Sequence, residues 1–138
     1  MSIQPPTYIE PADLVALLSD PTQTPGKSYQ VVDVRGDDFV HGNIKGALNI
    51  PAHELCEETD AALLKRLSGP KKLIFHCALS QVRGPKCARR FADAQRKAGI
   101  ENPAEVYVLR GGFENWQSLE DCKPFVESYN AKYWENPY

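Results

Sequence analysis

A chain of 138 residues fits one domain with a core of useful size, and 42% apolar with 25% charged residues is ordinary for a globular protein. A formal net charge of −2 supplies no broad basic field and argues against a nucleic acid partner. No apolar run approaches the roughly 20 residues of a membrane-spanning helix, and the opening MSIQPPTYIEP lacks the basic-then-apolar order of a secretory signal; the expected location is the cytoplasm, with the nucleus as a second.

Residues 1–6 read as a leader carrying Pro5-Pro6, and Tyr8-Ile9 as a short edge strand. Glu10-Pro11 opens a helix, with proline in the first turn where its missing N–H costs nothing, and Leu14, Leu17 and Leu18 recur at helical spacing. Breakers from Asp20 to Gly26 make a loop. Tyr29–Val34 (YQVVDV) reads as a buried strand; Asp33 and Arg35 flank its end and are expected to form a structural ion pair. From Gly36 to Pro51 there is no long helical period, only a short strand near Ala47–Ile50. Leu63, Leu64 and Leu67 mark a helix from about 59 to 67, stopped by Ser68-Gly69-Pro70. Leu73–His76 is the central strand. Pro85 starts the next helix, with Cys87, Ala88, Phe91, Ala92 and Gln95 on or near one face, and Gly99 ends it. Glu105–Leu109 is β-rich, Gly111-Gly112 turns the chain, and Phe113–Leu119 reads as a short helix. Strands alternating with helices predict an α/β domain, a mostly parallel sheet covered on both faces, with its site beyond the carboxyl ends of the strands. The tail from Cys122 carries Phe125, Tyr129, Tyr133, Trp134 and Tyr138, and is expected to pack on the domain or on a neighbour.

The chemistry concentrates in KKLIFHCALSQVRGPKCARR, residues 71–90. Strand, tight loop and helix start follow one another, and a helix start is an anion site because its first N–H groups are unpaired. Cys77 at that place is expected to be a nucleophile, its thiolate favoured by the helix dipole. Arg83 closes the loop as a bidentate oxyanion clamp. The remaining ligands are expected to be backbone N–H groups of Ala78, Leu79, Ser80, Gln81 and Val82, with the Ser80 hydroxyl as a further donor to the thiolate. Cys87 has two readings, helix-packing filler or a resolving thiol for Cys77. His76 should point away from Cys77 and hold the loop, and His41 and His53 read as surface or loop residues. Lys86, Arg89 and Arg90 either extend a positive field at the mouth or form an ordinary solvated face. The spacing of Cys56, Cys77, Cys87 and Cys122 matches no zinc pattern, so no metal is expected.

Asp33-Val34-Arg35 with Gly42 to Pro51 (GNIKGALNIP) resembles the first rhodanese signature, and Gly111-Gly112-Phe113-Glu114-Asn115-Trp116 resembles the closing one. His76-Cys77 through Arg83 lies where that family keeps its active loop. The resemblance spans roughly residues 7–119 and implies a rhodanese-like three-layer domain over residues 1–119, a five-stranded sheet between helices, with residues 120–138 as a tail. Sulfurtransferase members usually carry a six-residue loop; the seven residues from Cys77 to Arg83 resemble the branch of cell-division-cycle dual-specificity phosphatases and eukaryotic arsenate reductases. That implies a phosphatase acting through phosphocysteine, also or mainly an arsenate reductase with glutathione or glutaredoxin as reductant and no bound cofactor. The substrate would be a phosphorylated protein or a small oxyanion, and glutaredoxin a partner. The large cell-cycle enzymes carry glutamates in the loop and a cysteine where this chain has Val34; here the loop has no carboxylate, leaving Glu54, Glu57 or the substrate monoanion as the proton source. Sulfur transfer through a Cys77 persulfide and phosphopeptide docking without turnover are the alternatives.

Overall fold

The structure, a computed structural model, describes residues 6–135; most of the expected leader, and Tyr138 of the tail, lie outside the described residues. In chain order the elements are β1 (Thr7–Ile9), α1 (Pro11–Ser19), β2 (Tyr29–Asp33), a 3-10 turn (Asp37–His41), β3 (Asn43–Ile44), β4 (Leu48–Asn49), α2 (Ala52–Glu57), α3 (Asp60–Arg66), β5 (Lys72–His76), α4 (Arg83–Ala98), β6 (Glu105–Leu109), α5 (Gly112–Ser118), a second 3-10 turn (Glu120–Phe125), β7 (Val126–Glu127) and α6 (Ala131–Glu135). Five strands form one sheet in the order β1-β6-β5-β2-β4, and each neighbouring pair is parallel.

Period-two alternation sorts the strand residues between two cores. Val32, Val34, Leu73, Phe75 and Cys77 face α2, α3 and α4. Val31 and Ile74 face the other way, toward Leu14 of α1 and Phe113 and Trp116 of α5. The sheet is thus the middle of three layers, buried on both faces, which explains the nearly continuous apolar runs of β2 and β5. β5 is central and ends at His76, opposite Asp33 of β2, so Cys77 emerges at the middle of the sheet's carboxyl edge.

Three local readings differ from the structure. α4 begins at Arg83, two residues before Pro85, because proline is tolerated throughout a first turn whose N–H groups have no intrahelical partner. α2 was not expected: it is six residues long and buries only Leu55, too little for a helical period to show. β3 pairs antiparallel with β7 in a separate ribbon, joining the Gly42–Gly46 segment to the tail. Lys45 N–H donates to Phe125 O at 2.8 Å, the Trp134 indole donates to His41 O at 3.0 Å, and the Tyr133 ring stacks on His41 at 3.7 Å. His41, read as a surface or loop residue, is therefore half-covered by the tail.

Candidate active site

The loop from Cys77 to Arg83 closes around its own sulfur. Cys77 is 3% exposed, and its Sγ accepts the N–H of Ser80 at 3.2 Å and of Gly84 at 3.3 Å. Ser80 reaches that position with φ +55°, a left-handed conformation that costs a non-glycine residue about 1–2 kcal/mol. Its backbone, not its hydroxyl, therefore serves the sulfur; Ser80 Oγ is buried without a hydrogen-bond partner among the described residues. Val82 caps α4 with no side-chain bond, which leaves the start of a 16-residue helix open. Among the described residues, the N–H groups of Ala78, Leu79, Gln81, Val82 and Arg83 donate to nothing. Unpaired amides beside a helix start make an anion nest. Gly84 lets the helix approach, since a Cβ there would stand 3.3 Å from His76 Cα.

The far side of the loop is held by α5. Phe113 N–H donates to Cys77 O and Glu114 N–H to Ala78 O, both at 3.0 Å. Gly112, at φ +60°, lies against these two carbonyls. Helix α5 thus ties up the Cys77 and Ala78 carbonyls.

Beneath the loop lies a buried ionic knot. Arg35 Nε and Nη2 grip the Asp33 carboxylate at 2.8–3.1 Å, Nη2 also donates to Gly42 O at 2.6 Å, and the guanidinium sits 4.3 Å over the Phe113 ring. Burial works against the Asp33 charge, but His76 and the Arg35 guanidinium more than offset it and hold the carboxyl below its usual range. Burial drives His76 below the ordinary imidazole value, with Asp33 and the Cys77 carbonyl opposing. His76 Nδ1 donates to Cys77 O at 3.0 Å, and Nε2 stands 3.5 Å from Asp33 Oδ2. These groups shape the site through Gly42, Phe113 and the Cys77 carbonyl.

Beside the loop opens a cavity of about 350 Å³ lined by His53, Cys56, Arg83 and Lys86 with apolar Val34 and Pro51. Arg83 is half-buried and has no ion-pair partner among the described residues. Leu79 and Val82 are exposed apolar side chains of the loop. Glu54 and Glu57, considered above as proton donors, do not line this cavity; Glu54 is bound to Arg66 at 3.0 Å, and Glu58 pairs with the same guanidinium. Arg90 is likewise spent on Asp60, at 2.6 Å, so only Lys86 of the three helix cations joins Arg83. Cys87 is fully buried in the cluster that contains Cys77, and Cys56 packs against that cluster. Burial first, then the Cys56 and Cys77 sulfurs, push the Cys87 thiol up to about 12. The sequence reading missed His53 and Cys56 at the cavity because both stand on α2, the unexpected helix.

Residues 10–119 match the family model of the rhodanese-like domain. The chain is 34% identical to the CDC25-like phosphatase YCH1 of Saccharomyces cerevisiae, over 92% of this chain and 93% of that protein. It is 33% identical to arsenate reductase 2.2 of Oryza sativa subsp. japonica, over 80% and 82% of the two chains. Among solved structures it resembles the As-Sb reductase of Leishmania major, with TM-score 0.70 and 38% identity over 88% of this chain and 84% of that one.

Proposed function

The chain belongs to the rhodanese-like domain family, and from that premise we propose that it is a cysteine-based enzyme acting on tetrahedral oxyanions, a phosphatase that also serves as an arsenate reductase. The observation that carries this reading is the ring of N–H groups at Ala78, Leu79, Gln81, Val82 and Arg83, unpaired among the described residues, around a sulfur that already accepts the Ser80 and Gly84 amides. Such a ring suits the equatorial oxygens of a phosphate or arsenate, with the Arg83 guanidinium stabilising the charge that spreads over them in the transition state.

In phosphate transfer the Cys77 thiolate attacks phosphorus in line, the ester oxygen leaves with a proton, and water then cleaves the phosphocysteine. In arsenate reduction the same sulfur displaces an oxygen from arsenic as water. An external thiol attacks the Cys77 sulfur, the S–As electron pair stays on arsenic, and arsenite leaves. A second thiol reduces the mixed disulfide; glutathione or glutaredoxin is the reductant we propose. The loop residues Ala78 to Val82 include no carboxylate, and among the described residues none lines the adjoining cavity. That favours arsenate and esters with good leaving groups, which need little help from a general acid, an aid worth typically ~100- to 10,000-fold.

One preparation assayed with p-nitrophenyl phosphate, with arsenate plus glutathione and glutaredoxin, and with thiosulfate plus cyanide tests the proposal. Turnover of the first two, lost in Cys77→Ser, is expected. Thiosulfate turnover exceeding both would assign sulfur transfer instead, and phosphopeptide binding without turnover would reduce the chain to a docking module.

A further inference from the structure

We infer that Cys56 and Cys87 form a resolving dithiol for Cys77, so that an oxidising equivalent caught by the catalytic sulfur ends as a Cys56–Cys87 disulfide. This rests on the reading of Cys77 as the nucleophile.

Three sulfurs converge at one place in the fold. Cys77 and Cys87 are buried in one cluster under α4, and Cys56 packs on its edge. Helix α4 sets Cys87 one turn past Arg83 and three residues past Gly84, whose N–H holds the Cys77 sulfur. Cys56 stands in the last turn of α2, which packs on α4. It is half-buried and opens onto the cavity shared with Arg83 and Lys86. Both other sulfurs lie near enough to Cys87 to raise its pKa. Cys87 itself has 0% exposure and cannot meet a solvent oxidant directly. Cys122 belongs to the core on the opposite face of the sheet.

The exchange balances without any further group. Hydrogen peroxide transfers one oxygen to the Cys77 thiolate, its O–O bond breaks, and the second oxygen leaves as hydroxide; protonation leaves Cys77 sulfenic acid. The Cys87 thiol attacks that sulfur, and its proton departs with the hydroxyl group as water, giving a Cys77–Cys87 disulfide. Cys56, as thiolate, then attacks the Cys87 sulfur and expels Cys77. Thiol–disulfide exchange favours the better-stabilised leaving thiolate. Cys77 is that group, because Ser80 and Gly84 N–H bonds receive it, whereas Cys87 carries a thiol raised to about 12. The bond therefore migrates away from the catalytic sulfur, which escapes irreversible sulfinic oxidation. The resulting disulfide ends at Cys56 in the cavity, open to an external thiol.

The reduced full chain, treated with stoichiometric hydrogen peroxide, alkylated and peptide-mapped without reduction, tests this. Wild type should show a Cys56–Cys87 link with Cys77 and Cys122 alkylated. Cys56→Ser should halt at a Cys77–Cys87 link. Cys87→Ser, if circular dichroism shows it folded, should give sulfinic acid on Cys77; because Cys87 is fully buried, Cys56→Ser carries the decision. Wild type with Cys77 oxidised and Cys56 still fully alkylated would overturn the relay while leaving Cys77 as nucleophile. A Cys77 that resists peroxide altogether would refute the nucleophile and the relay together.

Discussion

Replacing Gly112 by alanine should damage the Cys77–Arg83 loop from outside it. At φ +60° an added Cβ would stand 2.4 Å from Ala78 O and 2.5 Å from Cys77 O, closer than real Cβ atoms come. Those carbonyls face α5 because Phe113 and Glu114 N–H bond them at 3.0 Å, so relief requires the loop and the helix end to part. The left-handed conformation costs about 1–2 kcal/mol for alanine, and weakening two hydrogen bonds adds about 0.5–1.5 kcal/mol each. A loss of roughly 2–5 kcal/mol is therefore expected. Gly99→Ala is the matched control: φ is +65° but nothing lies within 4 Å of its Cβ, leaving only the conformational cost. Urea unfolding of both variants separates the two contributions. Turnover of p-nitrophenyl phosphate reports the loop, where a shift of about 1 Å is worth around 100-fold in rate. Equal destabilisation of the two variants, with Gly112→Ala retaining wild-type turnover, would show that α5 does not shape the site.

Arg35→Met strands a buried carboxylate and should cost about 3–5 kcal/mol in thermal or urea unfolding, whereas Asp33→Leu combined with Arg35→Met should regain much of it; no recovery in the double variant would argue against a buried ion pair as the cause. Asp33 and His76 both have folded pKa values below their unfolded ones. The unfolded chain therefore binds protons that the folded chain refuses. Their contribution is fully present above about pH 6.5 and is lost as pH falls, first through the imidazole range and then through the carboxylate range. Unfolding free energy measured from pH 7.5 to 4 should decline, and His76→Gln should flatten the upper part of that decline; a flat wild-type profile contradicts a His76 pKa lowered by burial. Arg83→Lys should lower kcat about 100- to 1,000-fold, as loss of a preorganised oxyanion donor does, with little change in unfolding midpoint, because the side chain is half-buried and without an ion-pair partner among the described residues. Unchanged kcat would remove Arg83 from the reaction.

What the sequence by itself determined is what a few neighbouring residues encode. The β-branched runs of β2 and β5, the helix ended at Gly99, and the order strand, cysteine, loop, helix are all local patterns, and each stands in the fold where its own residues placed it. The closing Gly111-Gly112 pair was visible as a turn. That Gly112 presses on the Cys77 and Ala78 carbonyls was not, because that contact joins segments far apart in the chain. Tertiary structure alone decided that Glu54 is bound to Arg66, that the Ser80 amide rather than its hydroxyl meets the sulfur, and that α2 brings Cys56 beside Cys87. It also paired β3 with β7. Two-residue strands and six-residue helices carry too few side chains for a periodic signal, and their places follow from which atoms across the chain remain to be satisfied once the sheet has formed.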